Sequence, residues 1–145
     1  MAITTNAICN SFKKELLEGT HNFKQSGGNS FKLSLYTSSA TLGKSTTSFT
    51  SDNQVSNTGQ YASGGSALTN GGTSISSDTA LVDFADLSFT GVTLTARGAL
   101  IYNDTQSGDP AVCVLNFGGD KTATSGTFTV QFPAFSSSAA IIRIA

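Results

Sequence analysis

The chain has 145 residues, of which 38% are hydrophobic and 12% charged, with a net charge of −1, one His, two Cys and no Trp. That length fits a single domain spanning residues 1–145, with a core able to stand without disulfide or metal support. The near-neutral balance gives no electrostatic footprint for nucleic acid or an anionic membrane, and no apolar run approaches membrane-spanning length.

With so few charges, solubility rests on Ser, Thr, Asn and Gly, or on burial in a larger assembly. Cys9 and Cys113 are too few and too far apart for a disulfide framework. Cys113 lies in the apolar run 111–115 and reads as a small buried hydrophobe. The N-terminus lacks the basic and apolar regions of a secretory signal, so the chain is expected to be made and used without export.

Residues 5–18 are predicted to form the one helix. Ile8, Phe12 and Leu16 recur at i, i+4 and i+8 on one face, and Lys14 and Glu18 are i, i+4 partners. Thr5 or Asn6 caps the start in this reading, and Gly19 ends the helix in the left-handed conformation. The apolar stripe needs a cover, either the open end of this chain's own fold or a partner surface. The expectation is divided: Leu16 packs in the core and residues before Phe12 make intermolecular contact.

After the Gly27-Gly28-Asn29 turn, residues 30–37 alternate cleanly, with Phe31, Leu33 and Leu35 on one face and Lys32, Ser34 and Tyr36 on the other. Residues 38–77 are rich in Ser, Thr, Gly and Asn. Leu42, Phe49, Val55, Tyr61, Leu68 and Ile75 punctuate them as anchors, which predicts extended loops and weak strands pinned to the body. Asn70-Gly71-Gly72 reads as a hairpin tip.

Short strands are then predicted at 80–84, 87–90, 92–96 and 99–102, followed by a polar turn over 103–110. The near-continuous apolar run 111–117 predicts a central strand, and Gly118-Gly119-Asp120-Lys121 a turn. Phe128, Val130 and Phe132 share a face of the next strand, which Pro133 ends or bulges. Ile141, Ile142 and Ile144 form the last. The sum is an all-β fold, a two-sheet sandwich of jelly-roll or related Greek-key type with one short N-terminal helix.

Several residue groups resemble chemical sites without meeting their requirements. The run from Ser38 to Ser45 lacks the first glycine of a P-loop and leads into a poor helix start. His21 is the sole imidazole available to nucleophilic catalysis, and no Gly-x-Ser-x-Gly elbow accompanies it. Its place after a helix C-terminus suggests a cap on the dipole. Asn103, Asp104 and Asp109 crowd one turn, with Asp120 near in space, yet no calcium-loop pattern is present. Whether they bind an ion is left open. Asp83 and Asp86 could form a hydrolytic carboxylate pair; the plainer reading turns Asp83 outward and pairs Asp86 with Arg97. One His and two distant Cys give no zinc cluster. The expectation is therefore no catalytic, cofactor-binding or metal residues.

Six stretches together resemble a family of small virion proteins of tailed bacteriophages. They are Asn10–Leu17 with the following Gly-Thr-His-Asn-Phe, Phe31–Thr37, Val82–Asp86, Thr95–Asn103, Leu115–Lys121 and Ile141–Ala145. The resemblance implies a non-enzymatic virion component, most specifically a capsid decoration (cement) protein. It would be assembled in the host cytoplasm, bind the phage major capsid protein on the capsid surface and act as a homotrimer. It carries over no catalytic or cofactor site. The alternative is a tail or host-attachment protein that binds surface glycan, with exposed Tyr36 or Tyr61 stacking on sugar; an enzyme such as a glycan hydrolase is the third reading.

Overall fold

The structure, a computed structural model, describes residues 3–145, so the N-terminal segment read above as lacking an export signal begins with two residues outside that range. It is mostly β, with two antiparallel sheets and one short helix. β1 (Ala7–Ile8), β2 (Phe31–Tyr36), β3 (Ser66–Ala67), β6 (Leu87–Asn103) and β7 (Ala111–Val130) form the first sheet, in the order β1-β7-β6-β2-β3. β4 (Asn70–Ser76), β5 (Thr79–Phe84) and β8 (Ile142–Ile144) form the second, in the order β4-β5-β8. One apolar core joins them: Phe84 of β5 stands 5.9 Å from Phe31 of β2, ring centre to ring centre, and Phe23 stacks on Phe31 at 4.4 Å.

The helix is shorter than its periodicity predicts. α1 is Asn10–Leu17, and neither Thr5 nor Asn6 caps it. Ala7 and Ile8 instead pair with Val114 and Cys113 on the edge of β7, so their backbone groups are spent on a ladder. Cys9 is the extended N-cap, and the Asn10 N–H finds the Lys44 carbonyl at 2.8 Å. The C-terminus is as predicted: Gly19 takes φ 77°, its N–H reaches the Leu16 carbonyl, and the Thr20 N–H reaches that of Glu15. Lys14 and Glu18 pair at 2.5 Å on the exposed face.

Leu16 packs against the core as expected, half-buried, but the residues before Phe12 do so too. Ile3 and Cys9 are buried with Phe12 in this chain's own core, and the exposed apolar side chain is Leu17, at 91%. Ile3 seats over Gly98, where a Cβ would meet both the Ile3 side chain and the Leu115 carbonyl.

β2 alternates as predicted, but Ser34 and Tyr36 of its polar face are also buried, with residues 50–61 laid alongside, while Lys32 stays half-exposed. The Tyr36 hydroxyl donates to the Thr50 carbonyl at 2.6 Å, and Ser34 donates to Tyr36. The Tyr61 hydroxyl accepts the Leu35 N–H at 2.8 Å, filling a gap along the strand edge. Leu42, Val55, Tyr61 and Leu68 do anchor the 38–77 stretch; Ile75 does not, being 76% exposed.

Two predicted turns are bulges. Gly71 is the extra residue between the pairs Asn70↔Phe84 and Gly72↔Asp83, and the hairpin tip is Ser77-Asp78, with Ser77 at φ 55°. Residues 117–120 loop out of β7 opposite Arg97, between Gly98↔Asn116 and Ala96↔Lys121, so the strand resumes instead of turning. Likewise the three strands predicted over 87–102 are one long strand, kinked at Gly91 (φ 64°), and 111–117 and 128–130 belong to one strand. β7 ends at Val130, which leaves Phe132 outside it.

Candidate assembly surface

The second sheet carries an apolar face that outruns the core. Across it Thr73, Val82 and Ile142 align in one row, and Ile75, Ala80 and Ile144 in the next row on the same face. Val82 and Ile142 are buried; Ile75 and Ile144 are 76% and 54% exposed. The outer row therefore has the pattern of a core face with none of the described residues laid upon it. Beside it, a groove of about 450 Å³ runs between the sheet and the end of α1, lined by Phe12, Leu16, Val82, Ile142 and Ile144 among others. Leu17 stands on the exposed side of that helix end.

His21 lies at the floor of this region, its side chain fully buried. Its ring packs 4.8 Å from that of Phe12 and stacks over Phe23 and Phe31. Nδ1 faces the Asn103 Nδ2 at 3.1 Å and Nε2 faces the Glu15 Oε1 at 3.3 Å. The amide can only donate there, so Nδ1 accepts and Nε2 carries the hydrogen. The predicted dipole cap is thus replaced by a buried polar hub. Burial holds the imidazole below its ordinary value, against the opposing pull of Glu15. Both ring nitrogens are committed, and neither touches a Ser hydroxyl or a thiol that it could activate.

The acidic groups singled out in the sequence are dispersed. Asn103 is turned inward and fully buried, Asp104 pairs with Lys32 at 3.4 Å, and Asp109 sits at φ 48° in the turn. Asp120 is not near them; it stands beside Arg97, midway along β6 and β7, at 3.8 Å. Arg97 therefore does not pair with Asp86, which accepts the Phe132 N–H at 2.8 Å. Among the described residues no three His, Cys, Asp or Glu side chains gather closely enough to hold a metal ion. No helix follows the run from Ser38 to Ser45. Cys9 and Cys113 are free and buried; burial pushes the Cys9 thiol up to about 11 and Cys113 higher still. Tyr36 and Tyr61 are buried with their hydroxyls bonded, so neither offers a ring to a sugar.

The outer row of the second sheet was missed in the sequence. Its signal was present as Ile-Arg-Ile at the C-terminal end and a lone Ile within the polar run 73–78. No described helix is long and apolar enough to cross a membrane. Compared with family models, curated proteins and solved structures, the chain matches none of them.

Proposed function

We propose that this chain is a non-enzymatic structural protein of a tailed-phage virion, a capsid decoration protein that stabilises contacts between major capsid subunits. In this reading it works as a homotrimer on the capsid surface and is assembled in the host cytoplasm. Its two sheets form a sandwich of jelly-roll or related Greek-key type. The sequence stretches quoted above carry the resemblance to that family.

The structural observation that supports it is the exposed row Ile75–Ala80–Ile144. A chain with so few charges that leaves two isoleucines and Leu17 in water gains from a permanent cover. Subunit contacts within the trimer supply that cover, because permanent interfaces are built around apolar centres. The rest of the fold gives a packed β body with broad polar loops, suited to adding contact area on a shell. The test is to mix the purified protein with expanded capsids that lack it and to weigh the particles. Saturable binding at hundreds of copies supports decoration; a handful of copies would favour the tail.

A further inference from the structure

We propose that His21 is an acid-sensitive latch: uptake of one proton on its ring breaks the contact with Asn103 and loosens α1 and the 20–30 loop from the end of β6. The geometry is specific to the neutral ring. Nδ1 accepts from the Asn103 Nδ2, and that amide has no freedom to turn. Its Oδ1 holds the Thr105 N–H at 3.0 Å and its Nδ2 also holds the Asn29 Oδ1 at 2.9 Å. Asn29 Oδ1 in turn holds the Asn22 N–H at 2.9 Å. Rotating the amide would place oxygen against the Asn29 oxygen and nitrogen against the Thr105 N–H. A proton on Nδ1 therefore sets donor against donor in a dry site.

The surrounding charges do not rescue the protonated ring. From α1, Glu15 faces Nε2, but its carboxylate is part-exposed and its pull is screened, whereas the imidazole is wholly buried. From the loop, Lys24 lines the same groove and opposes a second positive charge. From β2 and the turn after β6, Lys32 and Asp104 pair with each other. The second sheet contributes Thr73, Val82 and Ile142 on this side, all uncharged. Desolvation wins, and the folded ring titrates below its usual 6.5. The unfolded chain then takes up the proton first. Stability is complete above about pH 6.5 and falls as the pH drops below it.

The chain has a single imidazole, so one titration curve reads the latch. Nuclear magnetic resonance of the His21 ring protons should give a midpoint below 6.5. Amide hydrogen exchange, corrected for its intrinsic pH dependence, should accelerate in residues 10–24 and 29–31 as the pH falls from 7.5 to 5.5. The gain should be at most about tenfold per pH unit, since one proton is taken up. The β4–β5 hairpin should be unchanged. His21→Gln should abolish this pH dependence. A ring midpoint at or above 6.5, acceleration spread evenly over both sheets, or wild-type pH dependence in His21→Gln would each overturn the latch. Should that variant fail to fold, the two wild-type measurements decide.

Discussion

Ile75 and Ile144 flank Ala80 in one cross-strand row, on the face that two residues further along is buried as Val82 and Ile142. The same sheet face is thus core at one end and open surface at the other. Replacing an isoleucine in the open half should cost the isolated fold little, since its side chain already meets water. We expect Ile75→Ser and Ile144→Ser each to lie within about 1 kcal/mol of wild type in urea unfolding. Light scattering over a range of concentrations should show the double variant shifted toward monomer. An unchanged mass would remove the row from the subunit interface.

The N-terminal segment should behave as core. Ile3→Ala removes a fully buried side chain seated over Gly98, and Phe12→Ala one packed on His21 and Phe23. We expect losses of about 2–5 and about 3–5 kcal/mol, respectively. Leu17→Ala, at the exposed end of the same helix, should change stability by less than about 0.5 kcal/mol. Chemical denaturation of the three variants separates these outcomes. Equal effects of Leu17→Ala and Phe12→Ala would contradict the orientation of α1.

The thiols report on opening of the fold. Cys9 is raised to about 11 and Cys113 higher, both by burial first, so neither is a thiolate near pH 8. A chromogenic disulfide reagent should therefore label the native protein far more slowly than the urea-unfolded chain, and both cysteines should react together once β1 leaves β7. Prompt labelling of native Cys113 would show that the β1–β7 edge is open.

Much of the fold was legible because its signals are local. The alternation of Phe31, Leu33 and Leu35, the apolar run from Ala111 and the glycine end of α1 all follow from residues adjacent in sequence. What was not legible depends on pairing. Ala7 and Ile8 fit a helical stripe equally well, and only the edge of β7, more than a hundred residues away, makes them a strand. Gly118 and Gly119 suit a turn or a bulge, and the partner strand continuing past Arg97 decides for the bulge. For the candidate surface, the sequence shows that Ile75 and Ile144 are apolar, but the extent of the core decides which of them stay uncovered. His21 was visible as the lone imidazole, yet its partner Asn103 lies 82 residues on, beyond any spacing rule.

If this chain decorates a capsid, its copy number and position on purified virions that carry it must show it. Quantitative mass spectrometry with averaged electron cryomicroscopy of the heads supplies both. We expect hundreds of copies per particle, arranged as trimers on the outer shell, with Ile75 and Ile144 inside the subunit contacts. A few copies confined to the tail, or none in the particle, would contradict it.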